Sequence, residues 1–382
     1  MVAIAVNENG KVLTISPKGP KGTSLRFHAF WLRDNAQDSE TRDPYNGQRL
    51  ITLKDVPSNT RISRAILTRN SVEITFIPEN KTICYDTNWL LSNAYDVTRC
   101  REKGWVKSSI TTWDGAFNLP ASNFKTVTEN QSILHRWLGK LARYGVAKLT
   151  NGPIEEGSLT KIVDLFGYVR ETNYGRYFEV QTEVKPSNLA YSGLALQAHT
   201  DNPYRDPLPS VQVLYCLESS LTGGESIVID GFRAAEILRE KNKEWFNLLS
   251  SYCARFEFSG NSGVCLRARR PIIELAPDGE LVAVRFNNRS TAPIVDVPFE
   301  KMEAYYSAYR YFSEIIEDPS MSIHFNLEPG DSFVLDNTRV LHARTAYTDL
   351  GRRWLQGCYA DKDSLLSKLS TLSNRSRGHT EC

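Results

Sequence analysis

The chain is short of paired cysteines, of histidine and of long apolar runs, and each shortage excludes a class of protein. Its seven cysteines (Cys84, Cys100, Cys216, Cys253, Cys265, Cys358 and Cys382) are odd in number, scattered and free of any C-x-x-C pair. They give no disulfide framework and no cysteine-built metal site, and read as reduced, mostly packed thiols of a cytoplasmic protein. No apolar run approaches the roughly 20 residues of a membrane span. The opening Met1-Val2-Ala3-Ile4-Ala5-Val6-Asn7 lacks the basic and apolar regions of a secretory leader. With 46 basic and 44 acidic residues the net charge is +2, and no Lys/Arg block occurs, so neither nucleic acid nor a membrane is an expected partner. The 382 residues, 41% hydrophobic, 24% charged and 10% aromatic, suit one large or two ordinary globular domains.

Histidine is scarce enough for its pattern to matter: the six stand at 28, 135, 199, 324, 342 and 379. A lone histidine is more often packed or solvated than ligating, because ligation needs convergent partners. His199-Thr200-Asp201 sets an imidazole and a carboxylate two residues apart, which on a strand share one face. With His342 they can form a 2-His-1-carboxylate facial triad, leaving three adjacent positions on Fe(II) open. Arg353 follows His342 by eleven residues. Its planar fork suits the far carboxylate of 2-oxoglutarate, whose keto-acid end chelates the iron.

Residues 1–112 alternate in short apolar segments punctuated by turn residues, as in Val72-Glu73-Ile74-Thr75-Phe76-Ile77, and predict a small β-rich domain. A linker begins at Trp113. The domain of residues 113–382 opens with a helix for which Thr128 and Gln131 form a capping box, and Ser158 caps a second one. Val211–Leu217 and Ser226–Asp230 read as strands, and Asp230 caps a loosely broken helix over 233–252. Ser332–Leu341 reads as two strands paired around a polar turn. Further strands lie near 265–275, 281–287, 322–328 and 353–361, and a frayed tail begins at Ser373. Metal ligands on strands of a mostly β domain predict an α+β chain, mainly β. Its oxygenase core is a double-stranded β-helix, or jelly roll, with flanking helices.

Many stretches in order carry a resemblance. They include Trp31-Leu32-Arg33-Asp34-Asn35, Asn188-Leu189-Ala190-Tyr191, His199-Thr200-Asp201, Thr222-Gly223-Gly224-Glu225-Ser226, Phe286-Asn287-Asn288, Leu341-His342 and Gly357-Cys358-Tyr359-Ala360-Asp361. The chain resembles, over nearly its whole length, the gamma-butyrobetaine hydroxylase and trimethyllysine dioxygenase family of Fe(II)/2-oxoglutarate oxygenases. The resemblance implies iron on His199, Asp201 and His342, with O2 and 2-oxoglutarate as cosubstrates. It implies 2-oxoglutarate on Arg353, with Leu214 and Ser226 lining its site. It also implies a cage of Tyr174, Phe178, Tyr191 and Tyr359 around a trimethylammonium group, for which ring faces are the natural partner.

Two departures bear on function. The tract Ala36-Gln37-Asp38-Ser39-Glu40-Thr41-Arg42 has no cysteine where family members often hold a structural zinc, so no zinc is expected. At the substrate's anionic end, Asn188, Asn287 and Asn288 match hydrogen-bonding positions, and Arg176, Asn202 and Arg289 stand beside them. Two arginines near one anion site suit a phosphonate, whose three oxygens accept several charge-assisted bonds. The chain is therefore most similar to the 2-trimethylaminoethylphosphonate hydroxylase branch, with hydroxylation expected at the carbon next to phosphorus. The alternatives are gamma-butyrobetaine or trimethyllysine hydroxylation and a non-catalytic jelly roll that binds quaternary amines. A homodimer is expected.

Overall fold

The computed structural model describes residues 2–17, 23–96, 101–181, 195–219, 223–259, 263–347 and 353–376. They fall into two compact units, Met1–Cys100 and Arg101–Cys382. The division lies about a dozen residues before the expected one. Residues 101–112 hydrogen-bond into the second unit, where Gly104 N donates to Gly279 O at 2.7 Å and Thr111 N to Arg143 O at 3.0 Å.

In the first unit, β1 (Val2–Val6), β2 (Val12–Pro17) and β3 (Leu25–His28) form an antiparallel sheet followed by helix α1 (Ala29–Asp34). A second sheet joins β4 (Arg61–Leu67), β5 (Ser71–Ile77) and β6 (Lys81–Asp86), followed by α2 (Thr87–Ser92). Alternation in β5 buries Val72, Ile74 and Phe76 and turns Glu73 outward, as a one-sided sheet requires. Ion pairs brace the cysteine-free tract: Lys81 reaches Asp38 and Glu40, both at 2.7 Å, and buried Arg33 holds Glu79 at 2.8 Å.

The second unit begins with β7 (Ala121–Asn123), α3 (Phe124–Glu129), α4 (Gln131–Tyr144), β8 (Val146–Thr150), α5 (Ser158–Val163) and β9 (Phe178–Val180). Two expected caps are displaced. Asn130, between α3 and α4, accepts from Ser132 N and Ile133 N, and Thr128 lies inside α3. Gly157, in the left-handed conformation, starts α5 without a side-chain cap. Next come β10 (Leu196–His199), β11 (Val211–Ser219), β12 (Ser226–Asp230), α6 (Gly231–Lys241) and α7 (Lys243–Ser251). The single helix expected over 233–252 is two, because Asn242 is extended and its side chain caps α7. Strands β13 (Cys253–Ser259), β14 (Cys265–Pro271), β15 (Ile273–Leu275), β16 (Leu281–Val284) and β17 (Thr291–Ala292) precede α8 (Met302–Glu317), which the sequence reading missed. The last described elements are β18 (Ser322–Phe325), β19 (Ser332–Asp336), β20 (Val340–Arg344), β21 (Arg353–Ala360) and α9 (Lys362–Ser376); α9 takes in residues 373–376 of the tail expected to fray, and the rest of that tail lies outside the described residues.

Six strands order β7-β8-β19-β11-β21-β9, and four order β10-β20-β12-β18. A core of Leu214, Cys216, Val228, Phe333, Leu335, Val340 and Leu355 takes residues from both sheets, so they face one another as a jelly roll. The outer face of the six-stranded sheet packs Val211, Val213, Tyr215 and Leu217 against Leu134, Trp137, Leu138 and Leu141 of α4. Beyond the other sheet, Ile229 and Leu341 meet residues of α6, α7 and α8. The expected pairing of β19 with β20 does not occur. β19 bonds to β8 and β11, whereas β20 bonds to β10 and β12, so residues 336–338 form a corner between the sheets.

That corner is anchored by a buried ion pair. Arg339 Nε donates to Asp230 Oδ1 at 3.0 Å and Nη2 to Oδ2 at 2.7 Å, with the side chains 1% and 0% exposed. Asp230 also accepts from Phe232 N and Trp113 N, both at 3.0 Å, so its lone pairs are committed. Arg339→Met leaves that carboxylate buried without its cation, and the expected cost is about 3–5 kcal/mol of folding stability. Urea unfolding measures it, and a loss below about 1 kcal/mol refutes the assignment.

Candidate active site

His199 ends β10 and His342 sits in β20, directly opposite it in the antiparallel register. Such cross-strand partners bring their Cβ atoms within about 5.5 Å. The two imidazole rings lie 4.2 Å apart, centroid to centroid. Asp201 follows just beyond β10, its Oδ1 3.3 Å from His199 Nε2 and 4.0 Å from His342 Nε2. Among the described residues, this is the one group of three or more metal-capable side chains, with all donor atoms within 4.8 Å of one another.

The surroundings set the protonation that a cation needs. His199 Nδ1 bonds to Gln197 O at 2.8 Å, which turns Nε2 toward the centre. Burial, and then the neighbouring His199, push His342 down to about 3, so it is a neutral ligand. Burial alone would raise Asp201, but the hydrogen bond with His199 and the proximity of both imidazoles outweigh it and hold the carboxyl well below the usual range. Two imidazoles and one carboxylate suit Fe(II).

The triad opens on a cavity of about 430 Å³ between the sheets. Alternation along β11 and β21 turns Gln212, Leu214, Arg353, Leu355 and Tyr359 inward to line it. Ser226 of β12 and Arg344 of β20, paired in register, line it as well. Arg344 was not anticipated, although it lies two residues beyond His342 on the same face. Arg344 and Arg353 lie over the Tyr347 ring at 4.7 and 5.9 Å. Burial, and then the Arg344 charge, lower Arg353 to about 10, so it remains a cation at neutral pH. This part of the cavity wall therefore holds two guanidinium groups.

Of the expected cage, Tyr174, Phe178 and Tyr359 line the cavity, with Tyr174 and Tyr359 ring centroids 6.1 and 5.2 Å from Phe178. Gly357 makes this possible, because a Cβ there would stand 2.4 Å from the Phe178 ring. Tyr204 and Phe258, which sequence reasoning missed, extend the aromatic wall with centroids 5.1 Å apart. Tyr191 and Asn188 lie outside the described residues. Asn202 and Arg289 line the cavity, Arg289 at its exposed side. Asn202 adopts φ 53° and is 4% exposed. Its Oδ1 accepts from Tyr204 OH at 2.6 Å, and its buried Nδ2 has no partner among the described residues.

Three expected substrate residues are placed differently. Arg176 is exposed and does not line the cavity; its charge reaches the Cys358 thiol, which points to the outer face of the sheet. Asn288 is also exposed, spanning Gln197 Oε1 at 3.4 Å and the Tyr309 hydroxyl at 3.0 Å. Asn287 lines the cavity, but its Nδ2 donates to Thr200 O at 3.0 Å and its Oδ1 accepts from Ser290 N at 3.2 Å, so both polar atoms serve the backbone.

A jelly roll whose inner cavity is lined by a facial triad and by arginines defines a 2-oxoglutarate-dependent non-haem iron dioxygenase. Residues 111–359 match the model of the taurine catabolism dioxygenase TauD, TfdA family. The chain belongs to that family. It is 30% identical over 356 residues to the gamma-butyrobetaine dioxygenase of Homo sapiens, covering 91% of this chain and 92% of the relative. The gamma-butyrobetaine dioxygenase of Pseudomonas sp. (strain AK-1) is 30% identical over 347 residues, covering 91% and 90%. The trimethyllysine dioxygenase of Meyerozyma guilliermondii is 29% identical over 375 residues, covering 94% and 93%. When bound at the triad, Fe(II) supplies the activation of O2 that is coupled to decarboxylation of 2-oxoglutarate to succinate and CO2. The chain itself would supply placement: Arg353 and Arg344 are cations lining the cavity that could take the far carboxylate, and the cavity walls would decide which carbon of the substrate faces the metal.

Proposed function

We propose that the enzyme hydroxylates a small molecule with a trimethylammonium group at one end and an anion at the other. The observation that carries this reading is the cavity's polarity. Aromatic faces of Tyr174, Phe178 and Tyr359 share it with the Nδ2 of Asn202, unpaired among the described residues, and the guanidinium of Arg289. A quaternary ammonium has no proton to donate, so ring faces suit it, at about 2 kcal/mol or more when desolvated. A buried amide donor left unpaired costs about 1–3 kcal/mol, which an anionic acceptor would recover.

Two anions fit. The relatives named gamma-butyrobetaine dioxygenase support the carboxylate, gamma-butyrobetaine, and do so more strongly than anything supports its rival. Arg289 favours the second reading, (2-trimethylammonio)ethylphosphonate hydroxylated at the carbon next to phosphorus, because a dianion makes fuller use of an added cation. That case is narrower than the sequence suggested, since Arg176 does not line the cavity. Succinate release measured with both compounds and trimethyllysine decides among them. If the phosphonate is the substrate, Arg289→Ala raises its KM about tenfold, the lower end for a charge-assisted bond since the guanidinium is exposed, and leaves gamma-butyrobetaine nearly unchanged. A wild-type preference for gamma-butyrobetaine rejects the phosphonate, and no succinate with any trimethylammonium compound rejects the whole reading.

A further inference from the structure

The two oxygens of Asp201 have different surroundings. Oδ1 faces the histidine nitrogens. Oδ2 accepts from Gln212 Nε2 at 2.7 Å and from the Tyr359 hydroxyl at 2.8 Å. Gln212 and Tyr359 are direct register partners on β11 and β21, so the antiparallel pairing delivers both donors to one point on the inner face. The backbone is held too: Asp201 N donates to Asn337 Oδ1 at 2.7 Å, and Asn337 Nδ2 donates to Asp201 O at 2.9 Å. A carboxylate oxygen only accepts, so the Tyr359 hydroxyl is the donor in this bond. Its ring, meanwhile, faces Phe178 in the aromatic wall.

We propose that Tyr359 is a positioning residue shared by two sites: with Gln212 it holds Asp201 to ligation through Oδ1 alone, and through its ring it ties that carboxylate to occupancy of the substrate cavity. Oδ2 with two short donors has its lone pairs committed, so the carboxylate cannot turn to offer both oxygens to a cation and fill a position that the cosubstrate needs. A ligand packing on the ring bears on the same residue that steadies the metal ligand. This second half rests on the aromatic wall being the trimethylammonium site; the first half does not.

Tyr359→Phe keeps the ring and removes the donor. Anaerobic Co(II) titration of the full chain, read by the visible ligand-field band, should show metal binding weakened 10–100-fold, the usual loss when an outer partner of a ligand is removed. In wild type, adding gamma-butyrobetaine or (2-trimethylammonio)ethylphosphonate shifts that band; in Tyr359→Phe the shift is lost, while KM for the accepted compound changes less than threefold. Gln212→Met tests the same oxygen from the other strand and should weaken Co(II) similarly. Unchanged Co(II) affinity in both folded variants overturns the proposal. A lower melting temperature with wild-type affinity and band shift also overturns it, since that marks mere packing. If affinity falls but no trimethylammonium compound shifts the wild-type band, the substrate reading fails and the hold on Asp201 stands.

Discussion

Asp201→Ala abolishes Fe(II) retention and turnover together, with the fold intact. The carboxylate is the only anionic donor of the triad, and its loss leaves two imidazoles whose rings lie 4.2 Å apart. The expected fall in metal affinity exceeds the 10–100-fold typical of losing an outer-shell partner, because a ligand itself is gone. The variant should still fold. The cores packing β11 against α4 and Leu341 against α6 to α8 do not involve the residue, although Gln212 Nε2 and the Tyr359 hydroxyl lose their acceptor. Chelator competition under anaerobic conditions, with circular dichroism as the folding control, measures both parts. Ordinary activity in Asp201→Ala, or in His199→Ala, removes the triad from the account.

Arg353→Ala is expected to raise the KM for 2-oxoglutarate by about a hundredfold or more. Two charge-assisted bonds to a carboxylate are worth about 1.5–3 kcal/mol each, and every 1.4 kcal/mol is a factor of ten. Fe(II) affinity should barely change, since the guanidinium takes no part in the triad. Arg344 is a second cation at the same end, so Arg344→Ala should raise the same constant by a smaller factor. Initial rates over a range of 2-oxoglutarate concentrations measure both variants. A constant unmoved by Arg353→Ala would assign the cosubstrate to other residues.

How much of this was legible beforehand depended on whether a feature is local. The triad and Arg353 stood out because histidine is scarce and the H-x-D spacing forces two side chains onto one face. Strand alternation in β11 was equally plain, but which residue meets Gln212 across the sheet is a matter of register, and register is set by the whole roll. Gln212, Arg344, Tyr204 and Phe258 were therefore missed. The destination of β19 and β20 was misread for a similar reason: two apolar runs around a polar turn look like a hairpin whether they pair or part. Helix α8 was a different failure, since Tyr305, Ala308, Phe312, Ile315 and Ile316 repeat at helical spacing and the signal was there to be read. Arg176 failed because it lies in a bend before β9, so the alternation that turns Phe178 toward the cavity does not reach it, and motif matching does not show where a strand begins.

The corner at residues 336–338 bears on more than the path of the chain. The metal ligands belong to one sheet and its exit, Gln212 and Tyr359 to the other, and Asn337 sits at the crossing between them. Sliding one sheet over the other therefore breaks bonds to Asp201. Whatever binds the triad in this arrangement and not in a loosened one must, by mass action, add RT ln(1 + [L]/Kd) to the energy holding the sheets together. The catalytic centre is thus also a rivet, and filling or emptying it sets how tightly the roll stays closed.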